Sequence, residues 1–276
     1  MSDPRPIGMF DSGLGGLTVA REVFRCMPGE TVLYLGDTAR CPYGGRSEET
    51  IKTFGMQDAR FLVEQDIKML IVACNTVSSV ALDYVRAEVN DIPVVGVVQP
   101  GARAAVQRTT RKKIGVVGTA ATIRTGSYEK AIHDIDPDIT TYALACPLFV
   151  PLVEEGLLDS DITRLAAHRY LADLVAKGID CLILGCTHYP LLLETIQSTV
   201  GGGIQLLDSA LWAAREARDI LFAMQGLSLQ PGGGRERSRF YVTDVTPQFA
   251  QNAARFLGSP LSNIEKIELE QLTKTI

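Results

Sequence analysis

A chain of 276 residues with a formal net charge of −5 can bury one large core or two modest ones. Apolar residues make up 46% and charged residues 21%, the balance of a soluble globular protein, and the scattered basic residues without interleaved aromatics exclude a nucleic-acid groove. No apolar run reaches membrane-spanning length, MSDPRPIGMF lacks the pattern of a signal peptide, and six spread cysteines are no disulfide framework, so a cytoplasmic setting with free thiols is expected.

Short apolar runs alternate with longer amphipathic segments along the whole chain. The first strand is expected over Ile7–Phe10 and runs into FDSGLGGLTV. Asp11 and Ser12 stand just past it, and Gly13, Gly15 and Gly16 permit a tight turn whose N–H groups can approach a ligand. The helix that follows, Leu17–Cys26, offers its positive end to an anion. Taken alone this is weak, because a helix cap and turn explain it equally well, and neither the P-loop lysine nor the full dinucleotide spacing is present. The second strand, Thr31–Leu35, leads into GDTARCPYG. There Asp37 can cap a turn, and Pro42–Tyr43–Gly44 makes a stiff loop with one phenol and free backbone donors. Cys41 has no counterpart elsewhere and is read as incidental.

A helix over Glu48–Gln65 precedes the strand Met69–Ala73, which ends in ACNTVSS. Cys74, Asn75 and Thr76 thus sit at a strand-to-helix junction, where the helix dipole and unpaired N–H groups favour a thiolate. A helix over Ser78–Glu88 and a strand over Val94–Val98 follow, and the chain is expected to cross to a second half near Gln99–Pro100–Gly101. After a helix over Gly101–Arg108, the basic run RTTRKK reads as a solvated turn. The strand Ile114–Val117 opens into GTAATIRTGSY, where Thr119 and Thr122 take the place held by Ser12 in the first half. A helix over Ile123–Ile132 and a strand over Thr140–Ala143 lead to ACPLFVPLVEEG. Its acids Glu154 and Glu155 would ordinarily mark a solvated face, but the apolar, proline-containing run before them points one acid inward.

The helix Ile162–Ala176 and the strand Cys181–Leu184 end in GCTHYP, with Cys186, Thr187 and His188. His133 and His168 lie in helices without polar clusters and are read as structural or surface residues. Helices over Pro190–Val200 and Ser209–Met224 enclose a strand over Ile204–Leu207. Residues Gly226 to Arg239 read as an exposed connection, Phe240–Thr243 as a strand, and PLSNIEKIEL as a short edge strand.

Strands buried on both faces and separated by helices imply parallel sheets, with chemistry gathered at their carboxyl ends. LVEQDIKMLIVACNT and LVAKGIDCLILGCTH are near repeats, and IGMFDSG and IGVVGTA are a second pair in the same order. The fold class is therefore α/β, with two pseudo-symmetric open parallel-sheet lobes flanked by helices and a site at their interface. The lobes are expected to be 1–98 joined by 208–276, and 99–207. Cys74 and Cys186 occupy matching places in the two, whereas Cys26, Cys146 and Cys181 read as buried structural thiols. Two thiols so placed can face each other across one small substrate. A metal held by Cys74, Cys186 and His188 and a non-catalytic anion-binding module are the competing readings.

FDSGxGGLTV, GDTxxxPYG, ACNTxS, ACPxFVPLVEEG and LGCTHYPLL together resemble the cofactor-independent glutamate racemases, in that family's order, from Ile7 to Phe256. The resemblance implies interconversion of L- and D-glutamate, with D-glutamate supplied to peptidoglycan synthesis. It implies no cofactor, a small-molecule substrate and a homodimer, without nucleic acid or membrane. It makes Cys74 and Cys186 the acid/bases, with Asp11 supporting the first, His188 the second, and Glu154 contributing near the second. Ser12, Tyr43, Gly44, Asn75, Thr76, Thr119, Thr122 and Thr187 would hold the substrate, together with Asp11 and His188. Gly45 replaces the proline usual after PYG, and the near-immediate first strand leaves little room for the activation-linked extension of some relatives. An isomerase or decarboxylase of the same architecture acting on another small acid stays open at this point.

Overall fold

The computed structural model describes residues 2–89 and 91–273. Among the described residues ten strands form two sheets, and every pairing is parallel. The first sheet contains β1 (Ile7–Asp11), β2 (Val32–Gly36), β3 (Met69–Val72) and β4 (Val94–Gly96). The second contains β5 (Lys113–Gly118), β6 (Thr140–Ala145), β7 (Cys181–Gly185) and β8 (Gln205–Asp208). Two late strands, β9 (Arg239–Val242) and β10 (Ile264–Lys266), return to the outer edge of the first sheet.

The strand orders are β10-β9-β2-β1-β3-β4 and β6-β5-β7-β8. Stripped of β9 and β10, the first order reproduces the second, which is the structural form of the sequence repeat. In each sheet the first strand lies between the next two, Phe10 pairing with Val72 and Val117 with Leu184. The chain reverses its winding at β1 and again at β5, and such a switch point opens a crevice beyond the strand ends. The fold is thus two parallel sheets flanked by helices, as the patterning of buried runs implies. β1, β2, β3 and β7 are buried along their whole length, since helices cover both faces.

Several expectations are corrected. The helix expected over Gly101–Arg108 starts at Val98, so Gln99–Pro100–Gly101, where the crossing is expected, lies in the first turns of the helix Val98–Arg108 that carries the chain from one sheet to the other. Pro100 is tolerated there because first-turn N–H groups have no intrahelical partner. The helix expected over Ile123–Ile132 is two, Ala120–Arg124 and Ser127–His133, divided by Gly126 at φ +62. The one expected over Ser78–Glu88 begins earlier and divides into Asn75–Val80 and Leu82–Val89. Among the helices the sequence reading did not place, Phe149–Glu154 and Phe249–Leu257 border the site. The connection over Gly226–Arg239 is not wholly exposed. Gly234 and Ser238 are buried, and the Ser238 hydroxyl accepts the Val32 N–H at 2.9 Å.

Candidate active site

The two strand-end cysteines line one cavity of about 230 Å³ between the carboxyl ends of the sheets. Cys74 follows β3 after one residue and caps the start of the helix Asn75–Val80 in extended conformation. Its Sγ donates toward the Ser12 hydroxyl, 3.7 Å away at the end of β1. Behind it lies Asp11, fully buried, with Oδ2 accepting the Gly13 N–H at 3.1 Å and Oδ1 left without a partner. Burial holds the Asp11 carboxyl above the usual carboxylate range. Burial and the Asp11 charge push the Cys74 thiol up to about 12, so Cys74 is a thiol at neutral pH.

Cys186 follows β7 directly. Its Sγ is 4.0 Å from Nδ1 of His188, whose Nε2 is 3.1 Å from Oε1 of Glu154. Burial alone would lower this imidazole, but its contacts with Cys186 and Glu154 outweigh burial and push it up to about 10. His188 is therefore an imidazolium at neutral pH, with one N–H toward Glu154 and the other toward the sulfur. Phe256 packs against the imidazole with ring centroids 4.9 Å apart at 75°. The base of this junction is fixed by Tyr189, whose hydroxyl contacts the carbonyls of Gly118 at 3.0 Å and Cys146 at 2.9 Å.

Polar groups join the halves around the cavity. The hydroxyls of Thr76 and Thr119 lie 3.0 Å apart, and Thr119 also accepts the Thr122 N–H at 3.2 Å as the cap of the helix Ala120–Arg124. Asn75 accepts the Tyr128 hydroxyl at 2.6 Å, which orients its amide from the second sheet's side. The Gly44 carbonyl accepts the Ala121 N–H at 3.2 Å. Any Cβ at Gly44 would stand 2.8 Å from the Thr119 Cβ, so only glycine allows this approach.

Of the residues singled out in the sequence, Ser12, Tyr43, Gly44, Cys74, Asn75, Thr76, Thr119, Cys186, Thr187 and His188 all line the cavity. Asp11, Thr122 and Glu154 do not. They stand one layer behind, against Cys74, Thr119 and His188 respectively. Glu154 is the inward acid of the pair, although its side chain remains 43% exposed.

The Tyr43 phenol is hydrogen-bonded to Asp37 and, at 3.1 Å, to Asp58, neither of which lines the cavity. Arg40 completes that buried cluster, with Nε 2.6 Å from Asp37, Nη2 3.1 Å from Asp58, and its guanidinium 4.0 Å from the Phe54 ring centroid. Cys41, read from the sequence as incidental, lines the cavity as well, and burial raises its thiol there. Pro147, Val150 and Pro151 form an apolar side of the site that residue chemistry alone did not flag. Their membership in ACPLFVPLVEEG was the available signal. As for the metal reading, among the described residues no three His, Cys, Asp or Glu side chains are grouped to hold an ion.

Residues 16–217 match the family model described as Asp/Glu/Hydantoin racemase. The glutamate racemase of Geobacter metallireducens is 46% identical over 266 residues, spanning 96% of this chain and 97% of that one. The crystal structure of the Francisella tularensis glutamate racemase in complex with D-glutamate superposes with a TM-score of 0.91 at 38% identity, covering 97% of this chain and 99% of that one. The Escherichia coli glutamate racemase, solved with L-glutamate and an activator, gives a TM-score of 0.79 at 28% identity over 96% of this chain and 98% of that one. The chain therefore belongs to the Asp/Glu/Hydantoin racemase family, among its glutamate racemases, and is an isomerase acting on a small molecule.

Proposed function

We propose that the chain interconverts L- and D-glutamate by two-thiol proton transfer, Cys74 and Cys186 serving opposite faces of the α-carbon. The observation that carries this is the entry of both sulfurs into one cavity from equivalent ends of two sheets with the same strand order. Inversion requires removing a proton from one face and returning one to the other. A single group held beside a fixed substrate serves one face only.

In one direction the Cys74 thiolate takes the α-proton and the Cys186 thiol delivers its own to the opposite face; in the other the roles exchange. Cys74 starts as a thiol, so a positive charge brought by the substrate must lower its pKa. The substrate ammonium, entering a site that holds the Asp11 carboxyl, supplies a positive charge next to the sulfur. At Cys186 the His188 imidazolium stands beside the sulfur, and Glu154 holds that imidazolium in place.

Charge that develops on the substrate carboxylate needs fixed donors. Ser12, Asn75, Thr76, Thr119 and Thr187, with the N–H groups opening the helix Asn75–Val80, are placed around the cavity for this. Tyr43 and Gly44 contribute as wall and backbone, and Thr122 acts through Thr119. The lobes we assign are 1–98 with 208–276, and 99–207, supported by the return of β9 and β10 to the first sheet. By the resemblance to its family, the product D-glutamate feeds peptidoglycan synthesis and the chain assembles as a homodimer in the cytoplasm.

The test is α-proton exchange in heavy water from each pure enantiomer, with D-aspartate as the competing substrate and no added cofactor. Cys74→Ala and Cys186→Ala should each abolish full racemisation. Unchanged turnover in both variants rejects the mechanism, and faster turnover of D-aspartate rejects the substrate.

A further inference from the structure

We propose that Arg255 and Phe256, consecutive residues of the helix Phe249–Leu257, are positioning residues that set the Glu154–His188 pair against Cys186. This rests on the two-thiol reading above.

The helix Phe249–Leu257 lies between β9 and β10, in the part of the chain that completes the first sheet, and packs on the helix Leu17–Cys26. Its Arg255 nevertheless reaches across to the other half. Nη1 donates to the carbonyls of Val153 at 3.1 Å and Glu154 at 3.4 Å, and Asn252 of the same helix steadies it at 2.8 Å. Those two carbonyls end the helix Phe149–Glu154. The last carbonyls of a helix lack intrahelical partners, and a cation at that end is favoured by the dipole. The turn beyond is shaped to admit the guanidinium. Gly156 sits at φ +75, and a Cβ there would stand 2.5 Å from Arg255 Nη2.

Glu154 links this helix end to the chemistry. Its carboxylate meets His188 Nε2 at 3.1 Å, and the other ring nitrogen faces Cys186. With its side chain 43% exposed, packing does not hold Glu154, so the position of its backbone decides whether the carboxylate reaches the imidazole. Arg255 fixes that backbone. Phe256 sets the imidazole itself, its ring 4.9 Å from that of His188. Two neighbouring side chains from one half thus hold both members of a pair that belongs to the other.

An arginine serving stability alone would shift the melting temperature and leave the pH profile unmoved. A positioning residue moves the profile, because a displaced Glu154 no longer holds the proton on His188, and the imidazolium is lost at lower pH. The experiment measures kcat and KM from both enantiomers between about pH 6 and 10, with a melt, for the full chain carrying Arg255→Met, Arg255→Lys or Phe256→Leu. Arg255→Met should lower kcat about 10- to 100-fold with KM within about threefold, and move the alkaline limb to lower pH. Arg255→Lys, which keeps the charge, should recover most of the rate. If Arg255→Met does not fold, Phe256→Leu must show the same shift of the limb.

A parent-like profile in both Arg255→Met and Phe256→Leu overturns the proposal, as does a loss that follows the melt and is not recovered by lysine. Cys186→Ala in the same assay separates the two ideas. An inactive Cys186→Ala beside unaltered Arg255→Met and Phe256→Leu sinks only the positioning role, whereas an active Cys186→Ala sinks the two-thiol reading.

Discussion

Gly15→Ala isolates how closely the two halves must fit for the second thiol to work. Gly15 lies in the turn between β1 and the helix Leu17–Cys26, and its neighbour Thr18 donates to the Thr187 carbonyl at 3.2 Å. A Cβ at Gly15 would stand 2.3 Å from Thr187 Oγ1, 2.6 Å from His188 Nδ1 and 2.7 Å from His188 Cε1. Restoring ordinary contacts of about 3.5 Å requires a displacement of about 1 Å. Thr187 can rotate, but His188 is confined by Phe256 and by Glu154, so the imidazole or the turn must move. A shift of that size in a catalytic group costs roughly 100-fold in rate. The expected outcome is therefore a kcat lowered by about two orders of magnitude, with the chain still folded. Circular dichroism of glutamate during turnover reads the rate, and thermal unfolding reads the fold. Gly45→Ala is the control, since a Cβ there meets nothing within 4 Å; it should keep activity within about twofold. A folded Gly15→Ala chain that turns over at the parent rate would refute the idea that this contact sets His188.

Arg40→Met should destabilise the fold by roughly 3 to 5 kcal/mol at pH 8, because it leaves the buried Asp37 and Asp58 without their cation. Burial and the nearby Asp37 already hold the Asp58 carboxyl well above its ordinary range, so protonation relieves the variant and the deficit should shrink towards pH 5. Urea unfolding at both pH values reads this, and an equal deficit at the two would be contrary to it. His188 titrates near 10 in the folded chain against 6.5 for a free imidazole, so the folded state holds that proton more tightly. Its stabilisation is complete below about pH 6.5, declines as pH rises towards 10, and is absent above. Relative to His188→Gln, the parent should thus lose stability across that window; parallel curves would mean a neutral imidazole at physiological pH.

The strands and both cysteine junctions were legible in the chain because they depend on near neighbours. A buried run such as MLIV or CLILG, followed by small polar residues, ends as a strand and turns into a helix whatever lies elsewhere. The helix Phe249–Leu257 was equally legible, with Phe249, Ala253, Phe256 and Leu257 on one face. A preceding proline and the surrounding turn-rich stretch mask it. Phe149–Glu154 was obscured by Pro151, which reads as a break but is harmless so near a helix start.

Other features had no local signal. That Tyr43 gives its hydroxyl to Asp37 and Asp58, that Cys41 enters the cavity, and that Arg255 reaches the end of a helix about a hundred residues earlier all depend on where distant segments meet. Pattern along a chain specifies which faces are buried and where a strand must stop. It carries no measure of the separation between side chains from different elements, and that separation, set by the packing of one sheet against the other, decides which groups share a proton.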